Sequence, residues 1–104
     1  MLYGLKDSEI KQILNIIAKN GNVESAVLYG SRAKGTFKPF SDVDLTLNGP
    51  ALSRKDLNTL SHDLYESRLP YNFDLSIFST LKNDALIDHI RRCGIEIYRK
   101  AAIS

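Results

Sequence analysis

The chain has 104 residues, with 14 Lys and Arg against 12 Asp and Glu and a formal net charge of +2 at pH 7. This length is typical of one small domain, predicted over residues 1–104, and so weak a charge does not indicate nucleic acid as a direct partner. Its one cysteine excludes an internal disulfide, and the sequence has neither a signal-peptide pattern nor a membrane-length apolar run, so we expect a cytoplasmic protein without a membrane partner.

The first half of the chain predicts a helix, a strand, a helical turn and a second strand. One face of the helix over residues 8–21 carries apolar side chains at i, i+3, i+4 and i+7, namely Ile10, Ile13, Leu14 and Ile17. Residues 25–30 ("SAVLYG") form a short strand, and residues 31–37 follow as a helical turn. Residues 42–47 ("DVDLTL") alternate polar and apolar side chains, which is typical of a half-buried strand.

The second half repeats the alternation of helix and strand. A helix is predicted over residues 54–68, where Ser53 and Asp56 form the pattern of a capping box. A strand over residues 72–78, a helix over residues 81–94 and a last strand over residues 95–99 follow. This order predicts an α/β or α+β domain of two layers, with a small mixed sheet and its helices on one face.

Three aspartates are predicted to share one face of this sheet. Residues i and i+2 of a strand point to the same side, about 6.6 Å apart, so Asp42 and Asp44 lie together. The intervening apolar side chains, Val43 and Leu45, face the core. In the third strand Asp74 alternates with apolar residues in the same way. If both strands bury their apolar faces against the same helices, all three carboxylates project from the open face.

Gathered carboxylates repel one another, and a divalent cation is the usual remedy. Hard oxygen ligands suit Mg²⁺ or Mn²⁺, and Mg²⁺ is often held by one or two carboxylates together with substrate phosphates. Carboxylates on rigid strands can position two ions about 3.5–4 Å apart for in-line phosphoryl or nucleotidyl transfer. The pattern therefore predicts a metal site formed by Asp42, Asp44 and Asp74.

A glycine followed by a serine stands at the end of the first predicted strand. Gly30 would let the backbone approach a phosphate closely, and Ser31 would add an amide and a hydroxyl donor. Arg32, Lys34 and Lys38 could supply positive charge around a polyphosphate. Each residue alone has an ordinary explanation as a turn glycine or a solvated cation. Gly-Ser, ten residues and then Asp-x-Asp is a much rarer combination.

The remaining candidates for chemistry have mainly structural interpretations. His62 and His89 lie on separate predicted helices and have no partners at metal-ligand spacing, so surface or structural roles are favoured. Cys93 is interpreted as a core residue near the end of its helix.

Gly30-Ser31, ten residues and then Asp42-Val43-Asp44 resembles the signature of the DNA polymerase beta-like nucleotidyltransferase superfamily. "GSRAKG" followed by "SDVDL" is most similar to the minimal nucleotidyltransferases, stand-alone domains commonly paired, as antitoxin and toxin, with a HEPN-domain protein. The resemblance implies a polymerase beta-like palm fold, with ATP as substrate and Mg²⁺ or Mn²⁺ as cofactor. It covers nearly the whole chain.

The resemblance also implies a role for each motif residue. Gly30 and Ser31 would bind the phosphates, Asp42 and Asp44 would hold the metal ions, and Asp74 would be the third carboxylate that activates the incoming hydroxyl. Family members most often carry arginine where Lys34 stands, and lysine keeps the charge but not the bidentate fork.

Three functions follow as hypotheses. The first is an adenylyltransferase that moves AMP from ATP to a hydroxyl side chain of a HEPN-type toxin. The second is an antitoxin that masks its partner sterically, without catalysis, and the third is a small nucleotide-binding regulator. The intact carboxylate set favours the first, because masking does not need three clustered charges.

Overall fold

The computed structural model describes residues 1–101, in which helices alternate with strands. The helices are α1 (Asp7–Ala18), α2 (Ser31–Lys34), α3 (Arg54–Glu66) and α4 (Asp84–Cys93). The strands are β1 (Ser25–Tyr29), β2 (Val43–Asn48), β3 (Phe73–Ile77) and β4 (Ile95–Arg99), and a 3₁₀ turn, Phe78–Thr80, follows β3. Each element predicted from the sequence is present, and the α+β class is confirmed.

The four strands form one mixed sheet in the order β3-β2-β1-β4. Strand β1 runs antiparallel to both β2 and β4, whereas β2 and β3 are parallel. Parallel pairing puts the starts of β2 and β3 at the same edge of the sheet, with Asp44 opposite Asp74. The register of β1 places Tyr29 opposite Asp44 on its other side.

Helices α1 and α3 cover one face of the sheet and enclose the core. The apolar phase of β2 faces them, and a fully buried Leu or Ile contributes about 1.5–3 kcal/mol. The buried residues of this core cluster are each at most 3% exposed: Leu5, Ile13, Ile17, Val23, Ala26, Leu28, Val43, Leu45, Leu47, Leu60 and Leu64. The capping box that starts α3 is also present, since the Ser53 N–H donates to Asp56 Oδ2 at 2.9 Å.

The position of α4 corrects the expectation that the helices all lie behind the sheet. Its last turn lies against Val27 of β1, where a Cβ on Gly94 would stand 2.7 Å from Val27 Cγ1. Val27 and Tyr29 are out of phase with the core residue Leu28, so α4 covers the opposite face of β1. The physical reason is that β1 is apolar on both sides, and its second face also needs cover.

Among residues 1–101, no helix has the length and apolar character needed to cross a membrane.

Candidate active site

Two carboxylates stand side by side where β2 and β3 pair. Asp44 and Asp74 are direct partners in the parallel register, so their side chains project from the same face. One step further along, Ser76 Oγ donates a hydrogen bond to Thr46 Oγ1 at 2.9 Å, which ties the two strands together on that face. The shared phase expected from the sequence is thus present in the fold.

The third predicted carboxylate, Asp42, lies just before β2 and is exposed. Its position at the start of the strand places it near Asp44, and its charge acts on that residue. The structure therefore brings all three aspartates to one edge of the sheet, two on strands and one on the preceding loop.

Asp44 is partly buried beside two like charges, and its pKa reflects these surroundings. Partial burial raises this pKa above its ordinary value, and the negative charges of Asp74 and Asp42 raise it further. The positive charge of Arg32 acts in the opposite direction but does not reverse the shift. A cation bound beside Asp44 would relieve this repulsion.

Gly30 sits directly against the Asp44 carboxylate. Its φ of 76° and ψ of −154° lie in a region that L side chains rarely adopt. A Cβ at this position would also collide with Asp44 Oδ2. Both the backbone conformation and the neighbouring carboxylate therefore require glycine at this position. Ser31 follows it at the start of α2.

The buried position of Arg32 corrects the sequence prediction that this residue is a phosphate ligand. Its side chain is only 1% exposed, and its guanidinium donates to backbone carbonyls rather than facing the open side of the sheet. Nε and Nη2 donate to Ser41 O at 3.1 and 2.8 Å, Nη2 also donates to Pro39 O at 3.2 Å, and Nη1 donates to Tyr3 O at 2.9 Å. Arg32 thereby anchors the loop that ends at Asp42.

Aromatic rings complete the surroundings of this buried guanidinium. Its central carbon lies 5.4 Å from the ring centroid of Phe37 and 4.8 Å from that of Tyr71. The Tyr71 hydroxyl donates to Glu9 Oε1 at 2.8 Å, and the Lys6 N–H donates to the same oxygen at 2.8 Å. Arg32 belongs to a structural cluster that joins α1, α2 and the loop before β3.

The two predicted lysines remain at the surface. Lys34 is the last residue of α2, and Lys38 lies in the following loop, where its backbone N–H donates to Ser41 Oγ at 2.8 Å. Both side chains are exposed, so either can reach an anion without loss of packing.

The structure adds two residues that the sequence did not assign to the site. His89 Nε2 accepts a hydrogen bond from the Gly30 N–H at 3.1 Å, and its ring meets that of Tyr29 edge-on, with centroids 6.2 Å apart. Burial raises the pKa of Tyr29, as do the charges of Asp74 and Asp44. The strand alternation of the sequence could have placed Tyr29 near the aspartates. No local pattern could have found His89, because 59 residues separate it from Gly30.

The carboxylates fit a hard cation only in part. Within residues 1–101, no group of three or more His, Cys, Asp or Glu side chains is arranged to hold a metal ion. Asp44 and Asp74 nevertheless present carboxylate oxygens from adjacent strands, and a cation between them would offset the like charges that, with burial, raise the pKa of Asp44. This donor set suits Mg²⁺, which commonly completes its coordination with water and substrate phosphates.

A surface groove of about 740 Å³ lies beside this edge of the sheet rather than over the carboxylates. It runs between the loop that precedes Asp42 and the segment that joins α3 to β3. The side chains that line it are Phe40, Tyr65, Glu66, Arg68, Leu69, Pro70, Tyr71 and Asn72.

Carboxylates on paired parallel strands beside a Gly-Ser turn define a class of protein, the small nucleotidyltransferase domains. The chain belongs to the polymerase beta nucleotidyltransferase family, whose sequence model matches residues 11–102. The family resemblance and the enzyme class predicted from the sequence are thereby confirmed. No protein of curated function matches the chain in a sequence comparison.

Solved structures with a similar fold include three toxin–antitoxin complexes. One, a toxin–antitoxin with AMP-PNP, is 19% identical over 88% of this chain and 73% of that one, with a TM-score of 0.72. The MntA–HepT complex is 15% identical over 91% and 74%, with a TM-score of 0.67. A tri-AMPylated HEPN toxin with its MNT antitoxin, from Shewanella oneidensis, is 15% identical over 88% of this chain and 70% of that one, with a TM-score of 0.65.

Proposed function

We propose that this chain is a Mg²⁺- or Mn²⁺-dependent nucleotidyltransferase that transfers AMP from ATP to a hydroxyl side chain of a HEPN-type partner. Such a transfer would make it the antitoxin of that partner in the cytoplasm. Membership of the nucleotidyltransferase family supports the reaction class. Similarity in fold to a toxin–antitoxin complex with AMP-PNP and to an MNT antitoxin with an AMPylated HEPN toxin supports the substrate and the partner.

One observation carries the proposal: Asp44 and Asp74 are paired across parallel strands, and Gly30 lies directly against Asp44. Burial and the like charges of Asp74 and Asp42 raise the pKa of Asp44, which is a destabilising arrangement in the free protein. Such an arrangement is expected where a bound cation and its nucleotide supply the missing charge.

Asp42, Asp44 and Asp74 are the residues that would hold the cation. When bound, the cation would neutralise the triphosphate and stabilise charge that develops on the oxygens around the α-phosphorus. The structure presents Asp44 and Asp74 from rigid strands, so their oxygens need little reorganisation. The Gly30-Ser31 turn would contact the phosphates through its backbone, and Lys34 lies four residues after Gly30 as an exposed cation.

Asp74 is the residue best placed to act as general base. It is exposed and lies on β3, the edge strand, whereas Asp44 is flanked by strands on both sides. In the transfer step the acceptor oxygen forms a bond to the α-phosphorus and the bond to pyrophosphate breaks. The acceptor proton passes to the Asp74 carboxylate, and pyrophosphate leaves.

Steric masking remains the second candidate, and one observation favours it. Two large apolar side chains on the groove beside the site are strongly exposed, Phe40 at 76% and Tyr65 at 82%. Exposed aromatic side chains around a groove are typical of surfaces that bind another protein. A partner held there could be silenced without any chemistry.

The deciding experiment incubates the chain with its HEPN-type partner, ATP and Mg²⁺, and follows the mass of the partner. The wild type should add AMP mass and silence the partner's ribonuclease activity. Asp74→Asn should keep much of the ATP binding but lose transfer by about 10²–10⁴-fold, as expected for a missing general base. Asp63→Asn on α3, behind the sheet, is the matched control and should transfer at the wild-type rate.

Two results would reject parts of this proposal. A wild type that silences the partner without adding nucleotide mass would establish masking and exclude the enzymatic mechanism. An Asp74→Asn variant that adds mass as fast as the wild type would show that another group accepts the proton.

A further inference from the structure

A hydrogen bond from the Gly30 N–H to His89 Nε2, 3.1 Å long, connects α4 to the Gly-Ser turn. We propose that His89 is a positioning residue that holds this turn in its nucleotide-binding conformation. The inference rests on the proposed function for the identity of the ligand. The contact itself is a property of the free protein and can be tested without nucleotide.

Gly30 needs such a partner because glycine has the greatest backbone freedom of any residue. Its φ of 76° and ψ of −154° are only one of the many backbone conformations open to glycine. The peptide on its N-terminal side is held by His89, and the peptide on its C-terminal side is held by the Lys34 N–H, which donates to Gly30 O at 3.1 Å. Loss of the His89 contact would free one of the two peptides.

The same contact also acts on the carboxylate site. The α-carbon of Gly30 lies against Asp44, so close that a Cβ would collide with Asp44 Oδ2. A rotation of the Gly30 peptide would therefore move the backbone atoms that lie against the Asp44 carboxylate. His89 thus positions two parts of the site through one glycine.

The surroundings of His89 fix the ring that makes this contact. The ring is half-buried and meets Tyr29 edge-on at an interplanar angle of 74°. Its neighbour Ile90 is 5% exposed and anchors α4 to the sheet, and the Asn83 side chain caps the start of the helix by accepting from the Leu86 N–H. Since Nε2 faces an N–H donor, the neutral ring must carry its proton on Nδ1.

A histidine that only filled space would tolerate an apolar residue of similar size. A histidine that positions Gly30 requires an acceptor at Nε2, which the side-chain oxygen of glutamine can reproduce. His89→Leu and His89→Gln therefore separate packing from hydrogen bonding. The other histidine supplies the matched control: His62 on α3 has a side chain that is 68% exposed and lies 3.8 Å from Glu66.

The experiment has two readouts for each of His89→Leu, His89→Gln and His62→Leu. The first is amide hydrogen exchange of Gly30 in the free protein, followed by NMR. The second is the affinity for ATP with Mg²⁺, measured by calorimetry. In His89→Leu, exchange at Gly30 should rise and the affinity should fall, each by about fivefold, which is the effect of one ordinary hydrogen bond. His89→Gln should restore both to near the wild-type values, and His62→Leu should change neither.

Unchanged exchange at Gly30 in His89→Leu would overturn the inference, as would a His89→Gln variant that is as impaired as His89→Leu. Altered exchange with unchanged nucleotide affinity would equally overturn it, because the turn would then not need positioning for its ligand. A wild type that binds no ATP would reject the proposed function and, with it, the nucleotide role of His89. The exchange data would still show whether His89 holds Gly30.

Discussion

Two charged residues of the segment from Gly-Ser to Asp-x-Asp, Arg32 and Asp44, have opposite surroundings in the fold. The buried cation, Arg32, is 1% exposed and donates to three backbone carbonyls between two aromatic rings. The carboxylate Asp44 is partly exposed and is surrounded by like charges from Asp42 and Asp74, which together with burial raise its pKa.

This difference separates a group that stabilises the fold from a group whose burial among like charges destabilises it. The guanidinium of Arg32 is stabilised within the protein by carbonyl acceptors and aromatic rings, and its removal would leave carbonyl groups without donors. Asp44 lacks that compensation, so its removal costs the fold little. What distinguishes Arg32 from Asp44 is therefore whether the surrounding protein stabilises the charge. Neither the presence of a charge nor closeness to the motif makes this distinction.

The largest effect, on the rate of nucleotide transfer, is expected at the carboxylates Asp44 and Asp42. Asp44→Asn and Asp42→Asn should each lower the rate of nucleotide transfer by at least about 10³-fold, since a metal ligand contributes several kcal/mol to the transition state. Both variants should unfold in urea at or above the wild-type midpoint. A variant that lost activity together with its stability would show that Asp44 is structural, and the comparison with Arg32 would fail.

The second largest effect, on the free energy of unfolding, is expected at the buried cation Arg32. Arg32→Met should lower the free energy of unfolding by about 2–4 kcal/mol, because charged hydrogen bonds to buried carbonyls are lost and the fit is imperfect. Urea unfolding measures this change. Arg32→Lys keeps the charge without the fork and should also be destabilised. Lys34→Met, exposed on the same helix, should stay within about 0.5 kcal/mol of the wild type; equal losses at both positions would contradict the assignment.

A third prediction compares two glycines on either side of Arg32. Gly30 and Gly35 have φ values of 76° and 81°, so alanine should strain the backbone at both, by about 1–3 kcal/mol. Only Gly30 faces Asp44, whereas a Cβ on Gly35 would meet nothing within 4 Å. Gly30→Ala should therefore also lower ATP affinity in the presence of Mg²⁺, and Gly35→Ala should not. Similar calorimetric titrations for both variants would remove Gly30 from the site.

The smallest effects are opposite pH dependences at two carboxyl groups. The pKa of Asp44 is raised, so its ionisation lowers the free energy of unfolding as the pH rises from about 3.9, the ordinary value, through the higher folded value. The pKa of Glu9 is lowered, first by the Lys6 N–H and then by the Tyr71 hydroxyl, against the effect of burial. Its contribution is present above about 4.3 and is lost as the pH falls through the lower folded value.

Urea unfolding from neutral to strongly acid pH tests these signs. At neutral pH, Asp44→Asn should be more stable than the wild type, and Glu9→Gln should be less stable by about 1 kcal/mol. Both differences should shrink in acid, where the wild-type carboxyls are protonated. A neutral-pH loss of stability in Asp44→Asn would mean that its charge is compensated after all.

The sequence by itself determined the order of the elements and the common face of Asp44 and Asp74. Strand alternation and helical periodicity depend on neighbours within a few residues, so the pattern of apolar side chains is sufficient. The Gly-Ser and Asp-x-Asp spacing was likewise enough to identify the family.

Only the tertiary structure decided the contacts of Arg32 and His89 and the position of α4. Arg32 stands within the motif, yet carbonyls of Tyr3 and of the loop before Asp42 bury it. His89 reaches Gly30 across 59 residues. Local patterns do not encode which distant groups will meet. The His89 contact arises from packing α4 onto the second face of β1, and the Arg32 contacts arise from folding the N-terminal segment and the loop before Asp42 around its guanidinium. For the same reason, a cation near a motif can serve the fold, and a histidine far from it can lie at the site.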